Sequence, residues 1–347
     1  MINQKGIFIK NIYYMLAYAY DFIDFNAYSN VAYEKFENTY DLLAVLLVNG
    51  FTTQLKKGIY KTYENNSDSF STQKGKININ ETLQLKSKGA LLLHCEYDEF
   101  TENNIYNQII KATFIELRNL VEEKNKRRIN NLLRYLISVD NINLKKIDLL
   151  KLSFNKLNRN YKILINLCYF FRCDYLLVPE QGEYLIGEYY QSANYNKLFE
   201  KFVLKYYQKH YPQVFCSAKK MNWNFSGINS EYLPILKTDI TITNKNNDTL
   251  IIDTKFYENI LKENNYGKKV FRSSHIQQIY SYMKLYEESY PCNSIHGCLL
   301  YAKTSETLIP DFKDENNRIV ITYLDLNQEF DIIKNSLDQL INIISIK

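Results

Sequence analysis

Apolar residues recur at helical spacing near the start of the chain. Over Ile12–Phe25, Tyr13, Leu16, Ala17, Tyr20 and Ile23 or Asp24 recur at helical spacing in a nearly wholly apolar segment, which predicts a buried or partner-facing helix. Asp41–Phe51 predicts a second apolar helix, with Gly50 as its stop. The period then changes. Lys57–Tyr63, Lys74–Asn80 and Ala90–Phe100 are alternating or β-branched runs set between Asn, Ser and Gly, and read as strands. Helical spacing returns over Asn104–Val121, where Ile105, Ile109, Ile110, Thr113, Phe114 and Leu117 form one face, and again over Asn160–Phe171. An α+β N-terminal domain is therefore expected. Pro179–Gly187, which carries Gly182 and Gly187, is the best junction, so the domains are placed at 1–185 and 186–347.

The second half reads differently. Tyr195–Tyr211 predicts a helix with Leu198, Phe199, Phe202, Val203, Tyr206 and Tyr207 inward, and Thr238–Thr243 and Thr249–Phe256 predict strands joined by a turn at Asn244–Asp248. A helix at Ser274–Glu288, strands at Gly297–Ala302 and Ile319–Leu324, and an amphipathic helix from Asp331 to about Ile344 complete an α/β pattern. No repeat at a fixed period stands out.

Composition narrows the setting. The chain has 347 residues, 46% hydrophobic, with 31 Tyr against 10 Gly and 5 Pro, enough to build a core in each of two globular domains. The formal charge of +5 permits contact with phosphates without demonstrating it. Cys95, Cys168, Cys173, Cys216, Cys292 and Cys298 form no C-x-x-C pair, which argues against a zinc knuckle or a disulfide scaffold. With no apolar run of about 18 residues, a soluble cytoplasmic protein without membrane contact is expected. Histidines 94, 210, 275 and 296 lack metal-ligand spacing, and of them only His275 lies near the site considered next. The basic run Lys124, Lys126, Arg127 and Arg128 stays unassigned.

The chemistry concentrates on the two strands. Asp239 is followed, after thirteen residues, by Asp253-Thr254-Lys255. Residues two apart in a strand share a face, so Asp253 and Lys255 project together, and a hairpin through Asn244–Asp248 brings Asp239 to the same place. Two carboxylates form a hard oxygen site suited to Mg²⁺, which can activate a water against a phosphate, and a lysine can orient that water and offset phosphate charge. A D-x-K triplet is weak evidence alone. Its setting adds to it: Ile240, Ile242, Leu250, Ile251 and Ile252 mark buried strands, where a charge needs a reason.

The segments Leu233–Ile242 (LPILKTDITI) and Ile251–Tyr257 (IIDTKFY) resemble the nuclease motif of the McrC family, the endonuclease subunits of modified-cytosine restriction systems. Ile9–Tyr20 is similar to that family's opening block, Asp98-Glu99-Phe100 with Asn104–Lys111 to its second, and Gln278-Ile279-Tyr280-Ser281-Tyr282 to the Q-x-x-x-Y element shared with RecB-like nucleases. The blocks fall in order across nearly the whole chain.

The resemblance implies a restriction-endonuclease-like PD-(D/E)xK domain, a central mixed sheet flanked by helices, after an N-terminal domain that engages a hexameric McrB-like AAA+ GTPase. It implies Mg²⁺-dependent cleavage of double-stranded DNA by Asp239, Asp253 and Lys255. Gln278 and Tyr282 would contact the DNA backbone or order the catalytic residues, unless Tyr282 is ordinary packing. Glu200 stands where related nucleases often place another acidic metal ligand, and reads equally as a solvent-facing helix charge. Gly267, Lys268, Lys269 and Arg272 either track phosphates or form a solvated loop. The chain has no G-x-x-x-x-G-K-[ST] loop, so nucleotide hydrolysis falls to a partner. Two other readings remain: an activator that plugs a GTPase ring with little cleavage of its own, and a stand-alone repair nuclease.

Overall fold

The computed structural model of the chain describes residues 9–22, 31, 36, 38–173, 184–223, 232–256, 261–263, 267–302, 311–313 and 317–344. Its contacts divide it into two compact units, Met1–Leu42 with Cys173–Lys347, and Leu43–Arg172. This grouping differs from a single cut near residue 185, because the first helix belongs with the C-terminal unit. Part of the expected junction, residues 179–183, lies outside the described residues, as do residues 23–25 of the expected first helix.

Helix α1 spans Ile9–Ala19, and α2 spans Thr39–Lys57. The latter runs through Gly50 instead of stopping there. Leu43, Leu46, Leu47 and Phe51 are all buried, and that packing outweighs the roughly 1 kcal/mol that glycine costs a helix interior. The helix stops at Gly58, whose φ of 100° is open to glycine and strained for other residues. Strands β1 (Thr62–Phe70), β2 (Lys76–Ile77) and β3 (Leu93–Thr101) form an antiparallel sheet in the order β1-β3-β2. Between β2 and β3 lies α3 (Ile79–Ser87), which the pattern did not reveal although its cap was readable: the Asn78 side chain accepts from the Glu81 backbone N–H. Helices α4 (Ile105–Leu117), α5 (Glu123–Leu133) and α6 (Tyr161–Phe171) complete the unit, with single 3-10 turns between α5 and α6.

Asn107, fully buried on α4, donates to Tyr60 O at 2.8 Å and Glu102 O at 2.7 Å and accepts from the Tyr161 hydroxyl at 2.8 Å. The Asn104–Lys111 block is thus a structural knot that satisfies backbone groups from elsewhere in the unit. The basic run lies on α5. Lys126 and Arg127 pair with Glu123, and Arg128 donates to Asn49 Oδ1 at 2.6 Å.

The C-terminal unit continues with α7 (Tyr184–His210), β4 (Phe215–Ser217), β5 (Lys220–Met221), β6 (Leu236–Lys237), β7 (Ile240–Thr243), β8 (Asp248–Lys255), β9 (Leu261–Glu263), β10 (Lys269–Phe271), α8 (Ser273–Ser289), β11 (Ser294–Ala302), β12 (Asp311–Lys313), β13 (Asn317–Leu324) and α9 (Phe330–Ile341). Six strands form one sheet in the order β12-β13-β11-β8-β7-β4. The pairs β13/β11 and β11/β8 are parallel and the other neighbours antiparallel, so the sheet is mixed, as expected.

Strand alternation decides what each face carries. Ile251 packs with Ile279, Tyr282 and Met283 of α8, so Asp253 and Lys255 share the α8 face. Gly297 allows that helix to sit close on β11: a Cβ there would stand 2.6 Å from Met283 Sδ and 2.8 Å from Ile279 Cγ1. Helices α7 and α9 pack on the sheet and on each other, where Tyr207 donates to Leu337 O at 2.9 Å and Tyr206 to Asp338 Oδ1 at 2.6 Å. On α1, Asn11 donates to Leu326 O and Gln328 O, and Tyr18 bonds His210 Nε2 at 2.8 Å. Among the described residues no helix is long and apolar enough to cross a membrane.

Candidate active site

The site is built by the β7/β8 hairpin. Asn244 makes the turn, its Oδ1 accepting from the backbone N–H groups of Asn246 and Asp248 at 2.9 Å each, while Asn247 takes a φ of 60° that asparagine tolerates. The register pairs Ile240 with Ile252, so Asp239, one residue earlier, falls opposite Asp253. Its Oδ2 accepts from both the backbone N–H and the hydroxyl of Thr254, at 2.8 and 2.9 Å. One oxygen is thereby fixed and the side chain oriented.

Asp253 is completely buried. Lys255 Nζ stands 2.7 Å from its Oδ2 as an ion pair, while Oδ1 has no hydrogen-bond partner. Lys255 Nζ also donates to Gln278 Oε1 at 3.1 Å, and Gln278 Nε2 donates to the Tyr282 hydroxyl at 2.8 Å. The structure therefore brings together Asp239, Asp253, Lys255, Gln278 and Tyr282. At the close of β8, Phe256 N–H donates to Asn196 Oδ1 at 2.7 Å and its ring stacks on Tyr195, which ties α7 to the end of the strand. Glu200, one helical turn after Asn196, is partly buried.

The charges interact. Burial pushes the Asp253 carboxyl from 3.8 up to about 6, Lys255 pulling it down and Asp239 adding to the rise. Burial, with Asp239 next, raises Glu200 to about 6, while Lys237 and Lys201 oppose the rise. His275 goes down to about 4 through burial and the nearby cations Lys255 and Arg272, and shares a 2.7 Å hydrogen bond with the Tyr301 hydroxyl. It is a neutral imidazole at physiological pH.

A cation would find an oxygen donor without a partner at Asp253 Oδ1, with Asp239 beside it, and carboxylate donors of this kind fit Mg²⁺. Among the described residues no three His, Cys, Asp or Glu side chains converge to hold a metal ion, so Glu200 feels the aspartates without joining them as a chelating set. Of the expected basic loop, Lys269–Phe271 is strand β10, paired with β9, and Lys268 and Lys269 are exposed. Thr254 escaped the sequence reading, although a hydrogen-bonding residue between the two charged ones was its signal.

The raised carboxyls have a consequence for stability. Between pH 3.8 and about 6 the folded chain holds a proton on Asp253 that the unfolded chain has released. Stability is therefore expected to fall as pH climbs through this window and to level off above it, with Glu200 contributing in the same direction. In Asp253→Asn the decline should be shallower. Urea unfolding at pH 4 to 7 measures this, and an undiminished slope in the variant would contradict the placement of Asp253.

The family model for the McrBC 5-methylcytosine restriction system component matches residues 4–302. The type IV methyl-directed restriction enzyme EcoKMcrBC of Escherichia coli (strain K12) is 25% identical over 349 residues, covering 97% of each chain. Among solved structures, a chain of the refined half-complex from the tetradecameric assembly of Thermococcus gammatolerans McrB AAA+ hexamers with bound McrC aligns with a TM-score of 0.54 at 17% identity, over 98% of this chain and 76% of that one. That last likeness is one of fold. The match of the family model across most of the sequence settles the relationship, and the chain belongs to the family of McrBC 5-methylcytosine restriction system components.

Proposed function

We propose that this chain is the DNA-cleaving subunit of a GTP-dependent, modification-directed restriction complex, and that the unit holding Asp239, Asp253 and Lys255 is a Mg²⁺-dependent PD-(D/E)xK nuclease. The observation that carries the reading is the fully buried Asp253 carboxylate, paired with Lys255 through Oδ2 and with Oδ1 left without a hydrogen-bond partner, beside Asp239. Burying a charge in this state is costly, and such an arrangement is kept where a cation or a reaction needs it.

Asp239 and Asp253 would hold Mg²⁺, with Glu200 as a further acidic group that feels both. When bound, the ion supplies Lewis-acid activation of the scissile phosphate and of a water. Lys255 orients the attacking water and offsets the charge that grows on the phosphate. Gln278 restrains the Lys255 ammonium and is itself held by Tyr282, so this pair orders the lysine. Thr254 keeps the Asp239 carboxylate turned to the site.

The E. coli relative is described as methyl-directed, and the fold relative occurs with McrB AAA+ hexamers. By analogy this chain works on double-stranded DNA in the cytoplasm, engages a hexameric AAA+ GTPase and stimulates it. The contact surface is assigned to the unit Leu43–Arg172, which carries no catalytic constellation.

Reconstitution with a McrB-like AAA+ GTPase tests the proposal. Methylated duplex should be cut only with the partner, GTP and Mg²⁺ all present, and the purified chain alone should neither turn over GTP nor cut appreciably. GTP hydrolysis by a clean preparation of the chain, or partner-independent cutting at the full rate, would overturn it.

A further inference from the structure

The pair β5/β6 places two lysines opposite each other: Lys220 is the direct cross-strand partner of Lys237, and both are exposed. Like charges so placed are destabilising. Among the described residues neither forms an ion pair, and the Glu200 carboxylate acts on Lys237 only from a distance. An anion held between the two lysines would offset their repulsion.

The pair is firmly attached to the site. Lys219 N–H donates to Thr238 Oγ1 and Thr238 N–H donates to Lys219 O, each at 2.9 Å, which continues the ladder to the residue before Asp239. Met221 is buried in the core cluster under α8, so the pair is anchored on one side while its lysines face outward. Lys237 stands two residues from Asp239, about 7 Å along an extended chain. Its field reaches Glu200, which also feels Asp239 and Asp253, so Lys237 lies on the acidic side of the unit. Ile235, two residues before Lys237, is 62% exposed and Leu233 39%, an apolar edge beside the charges.

We propose that β5/β6 is a backbone grip for duplex DNA: Lys220 and Lys237 each hold a phosphate next to the cleavage position, and Ile235 and Leu233 lie against the sugars between them. The grip rests on the nuclease reading, since it supplies that site with its substrate. Phosphate contacts position a duplex without reading sequence, which suits a subunit whose partner reads the modification.

The test is equilibrium binding of the full-length chain to a labelled 30-base-pair duplex in EDTA, where no cutting occurs, from 50 to 300 mM NaCl. Lys220→Gln and Lys237→Gln should each lower the slope of log affinity against log salt by about 0.9, and the double variant by about 1.8, equally on unrelated sequences. Thermal stability should hold or rise slightly, because the cross-strand repulsion is relieved. Unchanged slopes, or a wild-type chain that does not bind duplex at all, would overturn the grip. Cleavage by the wild-type complex, assayed separately, keeps the readings apart: cutting with unchanged slopes removes the grip alone, and reduced slopes without cutting remove the nuclease alone.

Discussion

Replacing Asp253 by alanine is expected to abolish cleavage by the reconstituted complex, by about 10³-fold or more, while the partner's GTP turnover is stimulated as before. The magnitude follows from the several kcal/mol of charge stabilisation that a metal ion contributes to the transition state, each 1.4 kcal/mol being tenfold in rate. The fold should survive, because the substitution leaves only a small void and Lys255, which loses its ion pair with Asp253, keeps its hydrogen bond to Gln278 Oε1. Lys255→Met should lose activity to a similar degree. Gln278→Ala should lose roughly tenfold, since it frees the lysine head group without removing it. Single-turnover cleavage of methylated duplex with saturating partner separates these cases, and normal cutting by Asp253→Ala would falsify the assignment of the site.

What the sequence disclosed followed from range. The β7/β8 hairpin was readable because its turn, its apolar runs and its charged triplet all lie within Asp239–Lys255, where local chemistry dictates the geometry. The helix carrying Gln278 and Tyr282 was equally local. Gly50 misled, because a buried helix overrides a glycine that would end an exposed one. Strands β5 and β6 are two residues each, too short for any period, so the Lys220–Lys237 pairing existed only in the fold. The placement of α1 in the C-terminal unit depends on bonds such as Asn11 to Leu326, separated by 315 residues, and no pattern within a window reports those. Thr254 was visible as a residue but not as a ligand of Asp239, because that role appears only once the hairpin register is set.

The second large effect is expected in the other unit. Tyr63 and Phe100 are cross-strand partners on β1 and β3, their rings 4.8 Å apart, 73% and 55% exposed. Two neighbouring aromatics in water on a small sheet forgo burial worth on the order of 1.5 kcal/mol or more each, and aromatic residues of this kind are common anchors of protein interfaces. If Leu43–Arg172 is the surface that engages the GTPase, Tyr63→Ser with Phe100→Ser in the full chain should weaken the half-maximal concentration for GTPase stimulation by about 10- to 100-fold, as two anchors of about 1–2 kcal/mol would. Neither side chain is in the buried core, so folding should be unaffected. DNA binding by the chain alone should also be unchanged, because the lysine grip and the aspartate site belong to the other unit. The measurement is GTP turnover by a fixed amount of partner as each variant is titrated in. Stimulation by the double variant at the wild-type concentration would move the contact off this sheet, whereas loss of stimulation in Asp253→Ala would show that the two units do not divide contact and cleavage between them.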